Sequence, residues 1–325
     1  MTKGKEKGTK ADSRKEGKPS RYINPLTDFG FKYIFGTKEM LIDFLNSIVE
    51  DGSIVDLTYD NTERKPHSEE ERTARFDLHC TTKTGERIII EMQNHSQTFF
   101  KDRIVFYLTI PIYEQAPKDQ DWDYELQPVY SINITNFRMK NEESEESGKS
   151  RKSRKTEYAN TYISYIQLIN RETHEIFYKK LTVVNIELPR FNKKENELQT
   201  GAERWTYILK YLSRLNDVPE TLRNELFEKL FRMAEIAKLS AEERKEYYRS
   251  LKSYRDMNNL IAQRDQAILQ SKQVIASLKQ ENTMFRKEIT TFRKENTTFR
   301  KEVESQRKMI EALQRQLNMN KQNIN

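Results

Sequence analysis

The chain has 325 residues, of which 35% are hydrophobic and 33% are charged, and its formal net charge is +7 with a pI near 9.1. This composition is too polar for a uniform globule of that length, so tails, solvated loops or long surface helices must account for part of it. No apolar stretch approaches the roughly 18 residues of a membrane span. One cysteine, Cys80, excludes an internal disulfide framework and fits a reducing cytosol, so we expect a cytoplasmic location.

Residues 1–21 form a strongly basic N-terminal segment, with eight Lys or Arg against three acids. The segment lacks the apolar stretch of a secretory signal. We predict a disordered basic arm. Such an arm could contact phosphates or could simply keep the protein in solution, and both readings stay open.

Order is predicted to begin near Tyr22 with two helices. Thr27 or Asp28 is a plausible N-cap, and Gly36 divides a short helix from a longer one. Apolar residues then recur at helical spacing, at Phe31, Ile34, Phe35, Leu41, Phe44, Leu45 and Ile48. The stretch "SIVDLTYDN" alternates like a strand, and residues 61–72 are predicted to be a loop.

A hairpin comes next, formed by "ARFDLHC" and "RIIIEMQ" around the turn "TTKTGE". "TFFKDRIVFYLTIPIYEQA" predicts a helix that kinks or ends near Pro111. "QPVYSINITNF" predicts a strand with a mostly apolar inward face. The charge-blocked residues 138–157 predict an exposed insertion. "TYISYIQLIN" and "EIFYKKLTVVNIEL" predict two further strands, and residues 196–253 a helical region.

The last part of the chain carries a seven-residue repeat, "FRKEITT", "FRKENTT", "FRKEVES". With the three Phe at d, the a positions are Ile261, Ile268, Ile275, Asn282, Ile289, Asn296, Val303, Ile310 and Leu317. Such a repeat predicts a left-handed coiled coil over residues 254–325, and Asn at a favours a parallel homodimer. A single long helix packed on the globular part is the alternative.

The hairpin brings two carboxylates to one face of the sheet. Asp77 and Glu91 are expected to point the same way from adjacent antiparallel strands, together with Gln93. Two carboxylates that close raise each other's pKa unless a cation lies between them, and such oxygen-rich sites suit Mg²⁺ or Mn²⁺. His79 shares the face of Asp77, and we expect it to face solvent. Cys80 is expected to fill the apolar face, with Phe76 and Leu78 beside it.

Asp77, followed by Glu91-x-Gln93 at the end of an apolar strand, resembles the core of PD-(D/E)XK nucleases. In particular the chain resembles the bacterial PD-(D/E)XK family of transposase-like, recombination-promoting nucleases. The resemblance covers residues 22–260 and also includes "NPLTDFGFKYIFG" and "LSAEERKEYYRSLKSYRD". It implies an α/β (α+β) fold, with a restriction-endonuclease-like mixed sheet flanked by helices over residues 22–195.

The resemblance also implies roles for individual residues. Asp77 and Glu91 would hold Mg²⁺ or Mn²⁺, with Asp28 as a further ligand or a neighbouring support. Arg103 and Tyr107, four apart on one helix, would orient phosphate or brace the sheet. Gln93 stands where lysine is usual in the superfamily. Because an amide carries no charge and takes no proton, a slower and more metal-dependent enzyme is expected.

These observations leave three functions to compare. The leading one is a Mg²⁺-dependent DNA endonuclease that hydrolyses phosphodiester bonds, in recombination or mobile-element movement, with a dimer that brings two sites together. The second is a catalytically weak or inactive dimer that binds nucleic acid or protein through the same fold. The third is a coiled-coil interaction protein with an inert globular head, which leaves the paired carboxylates without a reason.

Overall fold

The structure is a computed structural model that describes residues 20–49, 54–64, 74–116, 122–139 and 161–322. The predicted basic arm and most of the predicted charged insertion therefore lie outside the described residues. The chain divides into two compact units, one ending at Tyr254 and the other beginning at Arg255. No helix within the described ranges is both long and hydrophobic enough to cross a lipid bilayer.

The first unit is built around a mixed six-stranded sheet. Its strands are β1 (Leu57–Tyr59), β4 (Leu78–Thr82), β5 (Arg87–Gln93), β6 (Val129–Thr135), β7 (Ile163–Ile169) and β8 (Ile176–Glu187). They lie in the order β1-β4-β5-β6-β8-β7, with β5–β6 and β6–β8 parallel and the other pairs antiparallel. Two short strands, β2 (Glu63–Arg64) and β3 (Ala74–Arg75), pair separately, in a region where the sequence predicts a loop and the start of one longer strand.

The helices are α1 (Asp28–Phe35), α2 (Lys38–Ile48), α3 (Phe100–Tyr113), α4 (Gly201–Tyr211), α5 (Glu225–Met233) and α6 (Ala241–Gln322). Thr27 caps α1 as predicted, because its hydroxyl accepts from the Gly30 N–H at 3.0 Å. Gly36 ends this helix, and α3 contains Pro111 in its last turn and continues for two more residues, to Tyr113. The mixed sheet flanked by helices confirms the predicted fold class.

The two faces of the sheet bury different kinds of side chain. One face carries Ile88, Ile90, Met92, Ile132, Ile134, Val184 and Ile186, which pack with α1, α2, α4 and α5 in the main hydrophobic core. The other face is covered by α3 through smaller apolar clusters that include Ile89, Val129 and Val183. Because α3 connects the parallel strands β5 and β6, it is the crossover helix of a β–α–β unit.

Tyr247, in the first turns of α6, is buried among residues of the first unit. Its hydroxyl accepts from the Asn24 N–H at 3.2 Å, and its ring packs on Phe29 at 5.9 Å. The start of α6 is thereby part of the first unit's core. In the second unit, every residue from 262 to 316 is exposed, including the apolar residues of the predicted a and d positions.

Candidate active site

The acid pair, Asp77 and Glu91, lies where the ladder between β4 and β5 ends. The last ladder pair is Leu78 with Ile90, so Asp77 stands opposite Glu91 one step further on. The Asp77 N–H donates to Glu91 Oε1 at 3.2 Å, and Asp77 Oδ2 accepts from the Met92 N–H at 2.7 Å. Each carboxylate thus has one oxygen bound by a main-chain N–H of the opposite strand. The other oxygen of each, Asp77 Oδ1 and Glu91 Oε2, stays outside these bonds.

The acid pair is electrostatically unfavourable without a cation. Burial raises the pKa of Glu91 to about 8, and the negative charge of Asp77 adds to that rise, while Arg103 opposes it. Burial also raises the pKa of Asp77, against the Met92 N–H and the charges of Lys32 and Arg103. A group that binds the pair as two anions must therefore supply positive charge.

Gln93 and Arg103 both approach the same oxygen of Glu91. Gln93 Nε2 lies 3.4 Å and Arg103 Nη2 3.5 Å from Glu91 Oε2, both near the upper limit of a hydrogen bond. The stronger bond of Arg103 runs from Nη1 to Gln97 Oε1 at 2.7 Å. The structure therefore brings Asp77, Glu91, Gln93 and Arg103 together, with Arg103 held at the edge of the site by Gln97.

Tyr107 stands one helical turn after Arg103 on α3 and supports it. The Arg103 guanidinium lies over the Tyr107 ring at 5.5 Å and over the Phe100 ring at 5.4 Å. Tyr107 in turn packs edge-on against Phe76 at 5.0 Å, between α3 and the sheet. These contacts fit the bracing role that was one of its two expected roles.

Asp28, the remaining candidate, lies on α1 and makes an ion pair with Lys32 at 2.7 Å. Its negative charge contributes to the raised pKa of Asp77, after burial, so its carboxylate is close enough to affect the acid pair. The carboxylate is 65% exposed, in contrast to buried Glu91.

A polar row next to the acid pair was missed in the sequence. Glu91 is in register with Asn133 on β6, and Asn133 is in register with Asn185 on β8. Both asparagines are buried, and within the described residues neither Oδ1 has a hydrogen-bond partner. The signal was the alternation of polar residues in "SINIT", which places Ser131, Asn133 and Thr135 on one face. The polar face of the site therefore extends across three strands.

Two expectations for the first hairpin strand are wrong. His79 is fully buried instead of solvent-facing, because α3 and Phe76 cover that face, and the His79 ring lies 5.5 Å from the Phe76 ring. Phe76 does not share the face of Leu78 and Cys80, because the chain bends at Asp77 and turns Phe76 toward Ile89 and α3. Cys80 fills the apolar core as expected, and burial raises its pKa to about 12.

The oxygen atoms of the acid pair fit a hard divalent cation. Mg²⁺ takes one or two protein carboxylates and keeps its other positions for waters and phosphate oxygens, whereas thiolate or imidazole ligands suit softer metals. Within the described residues, no three side chains of His, Cys, Asp or Glu form a group that could hold a metal ion. The site therefore offers two carboxylate ligands with raised pKa values, which is sufficient for Mg²⁺ or Mn²⁺ only if solvent and substrate complete the coordination.

The fold and the site together define a class: an α/β protein of PD-(D/E)XK-like architecture, with an acidic pair where an antiparallel and a parallel strand pairing meet. The model of a protein family described as "PD-(D/E)XK nuclease family transposase" matches residues 25–264 of the chain. The chain belongs to this family. Neither a curated protein nor a solved structure gives a significant match to the chain.

Proposed function

We propose that this protein is a metal-dependent endonuclease that hydrolyses phosphodiester bonds in DNA, in recombination or mobile-element movement. The observation that carries the proposal is the acid pair: Asp77 and Glu91 are cross-linked by main-chain hydrogen bonds, and the pKa of each is raised by burial. Family membership supports a nuclease and DNA as its substrate. A reducing cytosol suits the free, buried Cys80.

In this proposal the chain's own groups hold and orient the reactants. Asp77 and Glu91 hold Mg²⁺ or Mn²⁺, which when bound supplies positive charge to the phosphate and acidifies a water. Gln93, beside Glu91 Oε2, orients the attacking water but takes no proton from it. Arg103, braced by Tyr107 and Gln97, adds a second positive charge at the edge of the site. The catalysis is mainly positioning and charge stabilisation.

Cleavage of supercoiled plasmid with Mg²⁺ or Mn²⁺ tests the proposal. We expect Asp77→Asn and Glu91→Gln each to lower the cleavage rate by at least about 100-fold, since both act on the same ion. Glu187→Gln is the matched control, because Glu187 is also a buried glutamate on the sheet but accepts from the Met139 N–H and makes an ion pair with Arg190 instead. Equal cleavage by the Asp77 and Glu91 variants would rule out this site as the source of activity.

One specific observation favours the second function, in which the protein binds nucleic acid or protein without cleaving it. Gln93 leaves β5 without a cation beside the acid pair, where a lysine would stabilise a phosphoryl oxygen with full charge. Retention of DNA in a gel shift, without cleavage in either metal, would select this function over the endonuclease.

The apolar stripe of α6 supports a parallel homodimer as part of the proposal. Phe285, Ile289, Phe292 and Phe299 are each more than half exposed, which is unusual for large apolar side chains at heptad spacing. Two such stripes would cover each other. A dimer would bring two acid pairs to one DNA, as two cuts on opposite strands require.

The charged residues beside the stripe favour the parallel orientation. In a parallel coiled coil, a g residue faces the e residue five positions later on the other helix. That rule pairs glutamate with arginine four times in succession: Glu281 with the partner's Arg286, Glu288 with the partner's Arg293, Glu295 with the partner's Arg300 and Glu302 with the partner's Arg307. An antiparallel pair would instead place g glutamates opposite each other, which is repulsive.

A further inference from the structure

Helix α1 carries a half-exposed lysine, Lys32, and its start is tied to the end of β5. Asn94, directly after β5, donates from Nδ2 to the Leu26 carbonyl at 2.7 Å and so ties the residues before α1 to the end of β5. Gly30 lets the turn before α1 pack closely on the helix, because a Cβ there would lie 2.1 Å from the Asn24 carbonyl oxygen. The first turns of α1 are therefore fixed next to the end of β5, where Gln93 lies.

Lys32 differs from the other cation of the site in how firmly it is held. Arg103 is bound to Gln97 at 2.7 Å and lies over two aromatic rings. Lys32 makes its ion pair with Asp28 at 2.7 Å on the surface, and its side chain is 50% exposed. A surface ion pair of this kind contributes little to stability, so the ammonium can exchange Asp28 for another anion at low cost.

Lys32 also acts electrostatically on the acid pair. After burial and the Met92 hydrogen bond, its positive charge is the strongest influence on the pKa of Asp77, ahead of Asp28 and Arg103. The charge of the ammonium therefore reaches the acid pair. The strand that carries Glu91 ends in the neutral Gln93, so a positive charge on this side of the site comes from α1 and not from β5.

We propose that Lys32 binds a backbone phosphate of the DNA next to the acid pair, and that Asp28 positions Lys32 instead of serving as a metal ligand. This inference rests on the proposed function for its substrate class. Lysine contacts phosphate as a flexible point charge, and its half-exposed stem allows the ammonium to reach a strand that lies over the acid pair. The two cations, Lys32 on α1 and Arg103 on α3, then contact the substrate from opposite sides of β5.

The test is the salt dependence of DNA binding, measured by fluorescence anisotropy with a labelled duplex in EDTA between about 50 and 200 mM salt. We expect Lys32→Gln to weaken binding and to lower the slope of log K against log salt by about one per bound protomer, and Lys32→Arg to keep the slope. Lys38→Gln is the matched control, because Lys38 also pairs with an aspartate on the surface, Asp56 at 2.8 Å, and its side chain is 47% exposed. A Lys32→Gln slope equal to that of the wild type overturns the proposal.

Thermal stabilisation by Mn²⁺ separates the two roles of Asp28. We expect Asp28→Asn to keep the stabilisation and to weaken DNA binding, whereas loss of the stabilisation would make Asp28 a metal ligand and overturn its positioning role. The salt slope does not depend on cleavage. A wild type that binds DNA through Lys32 but never cleaves it would refute the endonuclease and leave this inference standing, and a wild type that does not bind DNA refutes both.

Discussion

The main-chain N–H of Asp77 lies 3.2 Å from the carboxylate of Glu91, and the Asp77 carboxylate binds the main chain next to Glu91 in return. The folded protein therefore buries two acids whose pKa values are both raised by burial. Because the pKa of Glu91 is raised from 4.5 to about 8, the fold binds more protons than the unfolded chain in that interval. The free energy of unfolding of the metal-free protein must then fall as pH rises from about 4.5 to 8.

The first prediction follows from this fall in the free energy of unfolding with rising pH. We expect Glu91→Gln to be more stable than the wild type in EDTA. The margin, which is the difference in the free energy of unfolding, should grow from pH 5 to pH 8. Its upper limit is about 1.4 kcal/mol for each unit by which the pKa of Glu91 is raised. Urea unfolding at several pH values measures the margin. Mn²⁺ should remove it by stabilising only the wild type. A margin that is independent of pH would show that the acid pair is not strained.

The second prediction concerns the amide of Gln93, which lies 3.4 Å from Glu91 Oε2. We expect Gln93→Lys to raise the single-turnover cleavage rate and to lower the Mg²⁺ concentration needed for half-maximal rate, because an ammonium adds charge at the phosphate. Gln167→Lys is the control, since Gln167 is also a strand glutamine but lies on the edge strand β7, where it donates to Thr182 at 3.0 Å. An unchanged rate and metal dependence in Gln93→Lys would contradict the role given to the amide.

The third prediction concerns the helical tail. We expect the wild type to sediment at twice its 38.9 kDa, and the triple variant Glu288→Lys, Glu295→Lys, Glu302→Lys to dissociate, because three e–g attractions become repulsions in each direction. Lys287→Glu, Lys294→Glu and Lys301→Glu change the same repeats at the outward f positions and should leave the mass unchanged. Sedimentation equilibrium measures all three. A wild type that remains a monomer would contradict the homodimer.

Mixing supplies a sharper test of the orientation. A variant with Arg293→Glu, Arg300→Glu and Arg307→Glu should also dissociate alone. Combined with the triple lysine variant, it should form a heterodimer in the parallel register, since every e–g pair is then attractive, as lysine with glutamate in one direction and as glutamate with arginine in the other. Failure of the mixture to associate would argue against the parallel pairing.

The fourth prediction concerns Gly30 in α1. A Cβ at this position would overlap the Asn24 carbonyl, and backbone cannot move aside as a flexible side chain can. We expect Gly30→Ala to destabilise the fold by about 1–3 kcal/mol, as overpacked substitutions do. Because α1 carries Lys32, DNA binding should weaken as well. Differential scanning calorimetry measures the first effect, and a variant as stable as the wild type would contradict the close packing of α1.

Much of the hairpin could be predicted because alternation within a single strand shows which of its side chains share a face. Glu91 and Gln93 are two apart at the end of an apolar run, so alternation alone puts them on one face. The bend at Asp77 could not be predicted, because it depends on the Met92 N–H of the neighbouring strand. The error for Phe76 follows directly from that bend.

His79 and Asn133 show a second limit, which is the covering of a face by a distant segment. His79 alternates with apolar residues as a solvent-facing residue would, but α3 covers that face. Asn133 lies in a strand that reads as mostly apolar, and its importance comes from its register with Glu91 in a different part of the chain. When a crossover helix separates two strands, the sequence of either strand alone does not show which of its residues will pair with the other strand.

The turn between β4 and β5, residues 83–86, sets which face each residue of β5 presents. A single inserted residue there would exchange the two faces if the β4 pairing were kept, moving Ile90 into the polar row and Glu91 into the main core. An insertion of two residues would restore the faces but displace Glu91 along the strand by about 7 Å, away from Asp77. The length of this turn is therefore expected to tolerate neither change, although its exposed side chains should accept substitution freely.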